Sequence, residues 1–267
     1  MKKIKINAGG LLEKIRETKP LVHHLTNWVT IYDCANILKM IGASPVMAHA
    51  KEEVRDMAQI ASSLVLNIGT LTVDFVEAMK LAAESANKKG IPVVLDVCGA
   101  GATRLRDDKA FELLNETRID IIKGNASEVA RIAGEKVQTK GVDAAAVKKD
   151  LIQLAKKLAE ERNCTVVITG KEDIVADEDK YYLVKNGDVM MTHVVGTGCM
   201  ATSMIGAFAA VEKDLSLAAA SALVCYEIAA ELAAKKAKGP AKFKELLFDH
   251  LYNLNKEVID KGQEVYQ

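Results

Sequence analysis

Short apolar runs that alternate with helical patterns constrain the fold of this chain more than any other feature. The central runs cover residues 64–68, 92–96, 119–124 and 165–170. Runs that are apolar throughout, rather than alternating apolar with polar, are typical of parallel strands buried on both faces. We therefore predict an α/β fold with a mostly parallel central sheet flanked by helices on both faces, in a single domain over residues 1–267.

The remaining elements follow from periodicity and from residues that start or stop a helix. Helical spacing predicts helices over residues 11–18, 29–41, 52–61, 73–88, 105–116, 125–133, 143–162, 201–211, 217–236 and 242–261. Gly90 is expected to end one of these helices and Asp143 to cap another. Further extended segments are predicted at 21–27, 44–47, 173–176, 181–185 and 189–195, with 173–176 and 181–185 as an antiparallel pair.

Polar residues gather where the predicted strands end. They lie at residues 67–69, 96–99, 123–125, 169–170 and 196–199. In open α/β sheets the ligand crevice lies at the carboxyl ends of the strands. This convergence predicts a binding site along that edge.

The segment Gly196-Thr197-Gly198-Cys199 is typical of a tight turn that leads into a helix. The first amides of a helix have no partner within it, and the helix dipole adds partial positive charge. Such a turn can bind an anion, and it favours a thiolate at Cys199. A plain turn before a buried helix is the alternative interpretation of these residues.

Composition excludes several classes of function. The chain has 36 basic and 36 acidic residues and no long basic run, so we expect no nucleic-acid or membrane partner. Five scattered cysteines without a Cys-x-x-Cys spacing argue against a disulfide framework and a structural zinc site, and they favour the cytoplasm. The start resembles no secretory signal, and the apolar segment 217–226 is too short to span a bilayer.

Two acidic residues are candidates for a metal site. Asp96 ends an apolar run, and Glu128 lies one helical turn after another run. Mg²⁺ favours a few carboxylates together with waters and substrate phosphates. The alternative is that Glu128 is an ordinary acid in the first turn of a helix and that Asp96 is a cap. The chain has neither a P-loop nor an early Gly-x-Gly-x-x-Gly motif.

Several longer motifs carry a resemblance to a known family. Asn125-x-x-Glu128 and the glycine turn, in this order, resemble the ribokinase-like kinases. Within that superfamily, the cysteine after the turn is similar to the hydroxyethylthiazole kinase family of thiamine salvage. The resemblance runs from about residue 11 to the final helix and includes the segments 21–27, 42–47, 66–70 and 99–103.

The resemblance implies transfer of a phosphoryl group from ATP, with Mg²⁺, to the primary alcohol of a hydroxyethylthiazole. It implies ATP contacts at Lys123, Thr169 and Asn125, substrate contacts at Met47, Gly196 and Asn27, and metal-associated acids at Asp96 and Glu128. Gly196, Thr197 and Gly198 would form the anion hole for the phosphoryl group. Cys199 occupies the place where related kinases usually carry an aspartate, so it would act as a base or orient the alcohol.

The resemblance also implies a homotrimer with active sites at subunit interfaces. One segment departs from the family pattern: Val97-Cys98 stands where Pro-Val is expected after Asp96. The absent proline frees a backbone dihedral beside the metal site. We expect Cys98, like Cys34, Cys164 and Cys225, to be a small apolar filler.

Other functions stay open at this point. A hydroxymethylpyrimidine kinase or an ADP-dependent metabolite-repair dehydratase would share the fold, although these enzymes usually carry aspartate at the position of Cys199. A catalytically silent nucleotide-binding module on the same fold is the alternative from a different class.

Overall fold

The computed structural model describes residues 1–135 and 144–267. The strands are β1 (Lys3–Ile4), β2 (Leu21–Leu25), β3 (Ser44–Val46), β4 (Ser63–Asn67), β5 (Val93–Asp96), β6 (Ile121–Asn125), β7 (Thr165–Thr169), β8 (Asp173–Ala176), β9 (Tyr181–Val184) and β10 (Val265–Tyr266). The helices are α1 (Ala8–Thr18), α2 (Ile31–Met40), α3 (Val54–Ile60), α4 (Val73–Lys89), α5 (Arg104–Glu116), α6 (Ala126–Ile132), α7 (Ala144–Arg162), α8 (Thr197–Ala209), α9 (Leu215–Ala234), α10 (Pro240–Asn253) and α11 (Lys256–Gly262).

The strands form one sheet in the order β1-β10-β9-β8-β7-β6-β5-β4-β2-β3. From β3 to β7 in this order every pair is parallel, whereas β8, β9, β10 and β1 pair antiparallel. The predicted mostly parallel sheet and the antiparallel β8–β9 pair are therefore confirmed. The carboxyl ends of β2 and of β4 to β7 share one edge, which is the edge at which the polar residues were predicted to meet.

Helices cover both faces of the sheet, as predicted. Side chains alternate between two apolar cores: Val65 of β4 enters one, while Leu64 and Leu66 enter the other. The first core contains side chains from α1, α2 and α8 to α11, and the second contains side chains from α3 to α7. Central strands buried on both faces account for their apolar composition.

Helix α9 is long and apolar enough to cross a membrane, and 78% of its most apolar window is buried inside the protein. It extends well beyond its most apolar part, residues 217–226, so the argument that this segment is too short to span a bilayer was wrong. Its burial, not its length, explains its composition, since it packs against α8, α10 and α1.

Several predicted boundaries were wrong. Residues 189–195 do not form a strand; Val189–His193 is a 3-10 helix, capped by the Asp188 side chain, which accepts from Met190 N at 2.8 Å. The predicted helix 242–261 is two helices, because Leu254 is extended and Asn255 caps α11. Strands β1 and β10 were missed because each has only two residues, which is too few to show a periodic pattern. The predicted cap Asp143 lies outside the described residues.

Candidate active site

The glycine turn delivers the chain into α8 as predicted, although the helix begins at Thr197 rather than at residue 201. Gly196 is the N-cap of α8, and its φ of +92° lies in the left-handed region that residues other than glycine rarely adopt. The first bond of the helix runs from Met200 N to Gly196 O at 2.8 Å. The amides of Thr197, Gly198 and Cys199 precede it and are free to bind an anion.

Two asparagine amides converge on the sulfur of Cys199. Asn27 follows β2 and donates from Nδ2 to Cys199 Sγ at 3.1 Å, and Asn67 at the end of β4 donates from Nδ2 at 3.4 Å. Asn27 is held in turn by Thr30, whose Oγ1 and backbone N donate to Asn27 Oδ1 at 3.0 and 3.2 Å. Donors aimed at a sulfur favour its ionised form.

A buried ion pair lies beside the glycine turn. Lys123 of β6 places Nζ 3.2 Å from Asp96 Oδ2 at the end of β5. The same carboxylate oxygen accepts from Thr202 Oγ1 of α8 at 2.6 Å, so the helix and two strands are joined at this point. A Cβ built at Gly198 would lie 3.2 Å from Lys123 Nζ, which shows how closely the ammonium approaches the turn.

The groups of this cluster shift the pKa values of Lys123, Cys199 and Cys98. Burial alone would lower the pKa of Lys123, but Asp96, Cys199 and Glu128 raise it above its ordinary value, so the ammonium stays charged. A hydrogen bond from Cys98 lowers the pKa of Cys199 to about 6, helped by Thr30 and Lys123 and opposed by burial and by Asp96. The Cys98 thiol carries the proton of this pair, and its pKa is raised.

Glu128 is committed to the backbone. Its Oε2 accepts from Asn125 N and its Oε1 from Gly99 N, each at 2.7 Å, while Asn125 Oδ1 accepts from Ser127 N and Glu128 N. This is a capping box at the start of α6. The interpretation of Glu128 as an acid in the first turn of a helix is therefore correct, and it leaves room for a further role only through the remaining lone pairs of the carboxylate.

A cavity of about 800 Å³ opens beside the glycine turn. Thr169 at the end of β7, Thr197 and Gly198 of α8, and Tyr226 and Glu227 of α9 contribute to its wall. Tyr226 Oη donates to Thr197 O at 3.1 Å and so fixes the first turn of α8 against α9. The volume is within the range of small-molecule sites, and the free amides lie at one end of it.

Most of the predicted site residues lie around the glycine turn. The residues that lie together are Asn27, Asp96, Lys123, Gly196, Thr197, Gly198 and Cys199. Thr169 lines the same cavity as Thr197 and Gly198. Met47 follows the edge strand β3, and its carbonyl oxygen lies 3.3 Å from His49 Nδ1. The Asn125 side chain is a helix cap.

The adjacent histidines of β2 face opposite ways, as expected of an extended segment. His24 Nε2 lies 3.0 Å from Ser203 Oγ of α8, and His23 Nε2 lies 2.8 Å from Ala48 O beyond β3. Burial lowers the pKa of His24 to about 3, so its ring is neutral. His49 and His193 are exposed.

Sequence reasoning missed three contributors to the site. Asn67 was noted only as a polar strand end, although its place after a buried strand could have suggested a ligand position. Thr202 stands four residues after Gly198 and so on the same helix face. Cys98, which was predicted to be an apolar filler, is half-buried, and it is the main cause of the lowered pKa of Cys199.

Comparisons with known proteins agree with this geometry. A sequence profile of the Hydroxyethylthiazole kinase family matches residues 12–257. A protein named hydroxyethylthiazole kinase from Methanosarcina mazei is 54% identical over 95% of this chain and 97% of its own. The solved hydroxyethylthiazole kinase of Pyrococcus horikoshii OT3 has a TM-score of 0.89 and 40% identity, covering 97% of this chain and 98% of that one.

A more distant structure shows the fold alone. A ribokinase-like superfamily protein from Enterococcus faecalis has a TM-score of 0.65 at 12% identity, covering 96% of this chain and 100% of that one. The parallel sheet, the crevice at its carboxyl edge and the glycine turn define a ribokinase-like protein. Within that class, the chain belongs to the Hydroxyethylthiazole kinase family and is a kinase.

Proposed function

We propose that this kinase transfers the γ-phosphoryl group of ATP to the primary alcohol of 4-methyl-5-(2-hydroxyethyl)thiazole, in thiamine salvage. The observation that carries the proposal is the arrangement around α8: free amides at residues 197–199, a buried ammonium at Lys123, and the sulfur of Cys199 on the same helical turn. Family membership supplies the substrate class.

The nucleotide would occupy the cavity beside Thr169, with its terminal phosphate on the amides of α8. Phosphoryl transfer needs positioning and charge stabilisation more than covalent chemistry. The amides of Thr197, Gly198 and Cys199 bind the transferring oxygens, and Lys123 offsets their negative charge. The loss of one such donor typically costs on the order of 10²–10³ in rate.

The thiazole alcohol would lie beside Cys199. Asn27 and Asn67 hold the sulfur in place, so its lone pair can accept the proton of the alcohol as the new O–P bond forms. Asn27 and Gly196 would border the thiazole, and Met47 would approach it from β3. In this proposal Asn125 acts indirectly, because it holds the helix that carries Glu128.

The residues present fit a magnesium ion that is held mainly by phosphates and water. Among the described residues no three His, Cys, Asp or Glu side chains form a metal-binding group. Asp96 and Glu128 both act on the charge of Lys123, and their oxygens already accept hydrogen bonds. When bound, Mg²⁺ would add positive charge at the phosphates.

Exposed apolar residues beside Asn27 and Gly196 in the chain support the proposed homotrimer. Trp28, Val29 and Tyr32 follow Asn27, and Val195 precedes Gly196; they are 48, 68, 77 and 73% exposed. Apolar groups at the border of a site indicate a protein contact. We expect Tyr32→Glu to dissociate the assembly in analytical ultracentrifugation, and Tyr252→Glu, at an exposed tyrosine on α10, to leave it intact.

We also retain a single catalytic domain over residues 1–267, located in the cytoplasm. The ten strands found in the described residues lie in one sheet, and the five cysteines are free thiols.

An ADP-release assay with ATP and Mg²⁺ tests the proposal. The thiazole alcohol, hydroxymethylpyrimidine and no acceptor are compared side by side, with Lys123→Met as the inactive control. Turnover with the thiazole alone supports the proposal. Turnover with the pyrimidine would indicate the neighbouring kinase, and ATP binding without turnover would indicate a silent module.

A further inference from the structure

The guanidinium of Arg106 joins two turns at the carboxyl edge of the sheet. Its Nη1 donates to Ile68 O at 3.0 Å and to Cys98 O at 2.9 Å, and its Nη2 donates to Gly69 O at 2.7 Å. Ile68 and Gly69 follow β4, and Cys98 follows β5. Arg106 lies in the first turn of α5 and is half-buried. A single side chain from this helix therefore holds the two turns relative to each other.

The turn after β4 sets the orientation of the Asn67 amide. The peptide bond between Ile68 and Gly69 is trans, so its carbonyl oxygen and its N–H point in opposite directions. The oxygen accepts from Arg106, and the N–H donates to Asn67 Oδ1 at 2.9 Å. Because a backbone N–H can only donate, Oδ1 must face it, and Nδ2 is left to donate to Cys199 Sγ at 3.4 Å. Arg106 thus acts, through one peptide unit, on which end of the amide faces the sulfur.

The turn after β5 acts on Glu128 in the same way. The oxygen of the peptide between Cys98 and Gly99 accepts from Arg106 at 2.9 Å. The N–H of the same trans peptide donates to Glu128 Oε1 at 2.7 Å. The guanidinium also packs against this turn, since a Cβ built at Gly99 would lie 2.7 Å from Arg106 Nη1. Asn125 N donates to the other oxygen of Glu128, so the carboxylate is fixed from both sides.

We propose that Arg106 is a positioning residue for phosphoryl transfer, which acts on Asn67 and Glu128 through these two peptide units. This role rests on the proposed function. Arg106 keeps the Asn67 amide on the sulfur beside which the acceptor alcohol would lie, and it keeps the Glu128 carboxylate in place. Because Arg106 acts through other residues and not on the substrates themselves, its loss should lower kcat and leave the KM values for ATP and for the alcohol nearly unchanged.

Steady-state kinetics of Arg106→Met test this expectation, because methionine is a long side chain without a donor. We expect kcat to fall roughly 10- to 100-fold, the usual range for residues that orient others. Both KM values should stay within about twofold of those of the wild type. Arg104→Met is the matched control, since Arg104 stands two residues earlier on α5, with a side chain that is 93% exposed and paired with Asp108. We expect this control to keep the kcat of the wild type.

A double-mutant cycle separates positioning from a general loss of structure. If Arg106 acts through Asn67, then Asn67→Ala should lower kcat much less in the Arg106→Met background than in the wild type. Circular dichroism and melting curves establish that the variants are folded. If Arg106→Met is not folded, Arg106→Lys replaces it in every measurement, because an ammonium still donates to carbonyl oxygens but lacks the planar fork that spans two turns. We expect its kcat to lie between those of the wild type and of Asn67→Ala.

Hydrogen-exchange mass spectrometry of the full-length protein reports on the two turns independently of activity. We expect the peptides that contain the amides of Gly69 and Gly99 to exchange faster in Arg106→Met than in the wild type, and Arg104→Met to exchange as the wild type does.

The proposal is overturned if Arg106→Met keeps the kcat of Arg104→Met, if its loss of activity lies in KM, or if the effects of Arg106→Met and Asn67→Ala on kcat multiply. Unchanged exchange at both turns would also overturn it. If the wild type turns over no acceptor alcohol, the proposed function fails, but the exchange at these two amides still decides whether Arg106 holds the turns.

Discussion

Lys123 Nζ lies 3.2 Å from Asp96 Oδ2, in a pair whose side chains are only 5 and 2% exposed. Thr202 Oγ1 donates to the same carboxylate oxygen. The pair thus joins β5, β6 and α8 at the point where the glycine turn begins the helix. Because the ammonium also approaches Gly198, the side chain that stabilises this junction is the one that the proposed function uses to stabilise charge.

We expect Lys123→Met to reduce both activity and stability. Removal of one partner leaves the Asp96 charge buried and unpaired, which typically costs about 3–5 kcal/mol of unfolding free energy. The rate should fall by roughly 10²–10³, because a charge next to the transferring group is lost. Steady-state kinetics and urea denaturation measure the two effects.

The exposed pair Lys51–Asp74 provides the matched control. Its atoms are 2.8 Å apart, but the side chains are 41 and 89% exposed. Lys51→Met should cost less than about 1 kcal/mol, since water screens such pairs. Equal losses for the two methionine variants would contradict the structural role of Lys123.

Gly196→Ala should lower the unfolding free energy by more than the strain of a left-handed backbone alone explains. Gly196 has φ +92°, and a Cβ there would lie 2.6 Å from Thr30 Cγ2, which supports Asn27. Gly90 has φ +80° with nothing within 4 Å of its added Cβ, so Gly90→Ala isolates the backbone term of about 1–2 kcal/mol. We expect a larger stability loss at Gly196, together with a raised KM for ATP. Similar unfolding free energies for the two variants would show that the Thr30 side chain moves aside at little energetic cost.

The low pKa of Cys199 predicts how activity depends on pH. If the thiolate accepts the proton of the alcohol, kcat/KM is constant above pH about 6 and falls about tenfold per pH unit below it, as the sulfur is protonated. A carboxylate is ionised down to a pKa of about 4. Cys199→Asp should therefore retain or raise activity at neutral pH and move the acid limb to lower pH. Loss to background in this variant, or an unmoved limb, would remove the base role.

His24 makes stability depend on pH. Its folded pKa of about 3 lies below the ordinary value of 6.5, so the unfolded chain binds the proton more readily. The contribution of neutral His24 to the unfolding free energy is therefore fully present above pH 6.5. It is lost as pH falls from 6.5 towards 3, by about 1.4 kcal/mol per pH unit. Between pH 7 and 5 this amounts to roughly 2 kcal/mol.

His24→Gln tests this dependence, because glutamine can still contact Ser203 but does not titrate. Its unfolding free energy should fall about 2 kcal/mol less between pH 7 and 5 than that of the wild type. His49→Gln, at an exposed position, should track the wild type. If the two variants show the same change, His24 is not buried in its neutral form.

The local order of elements was largely predictable from the sequence. The runs at 64–68 and 165–170 must be covered on both faces to leave water, which implies a parallel sheet with helices on each side. Gly90 ends α4 in the left-handed conformation because glycine lacks the Cβ that strains it. The predicted strand at 189–195 was wrong. The apolar composition of this segment fits a strand, but Val189–His193 forms a 3-10 helix that the Asp188 side chain caps.

The contacts that make the site chemically particular were not predictable. Cys98 and Cys164 are equally plausible apolar fillers in the sequence, yet Cys98 lowers the pKa of Cys199, whereas burial raises the pKa of Cys164 itself. Asn27 meets Cys199 across a separation of 172 residues, and the order of the strands decides which chain segments become neighbours at the edge.

By itself, the sequence determined the class of fold, the edge of the sheet at which polar residues gather, and the glycine turn that begins α8, because burial and backbone sterics act locally. Only the tertiary structure decided that the side-chain amides of Asn27 and Asn67 meet at the sulfur of Cys199 and that the Glu128 carboxylate accepts hydrogen bonds from backbone amides. These outcomes depend on distances between segments far apart in the chain, which no local pattern encodes.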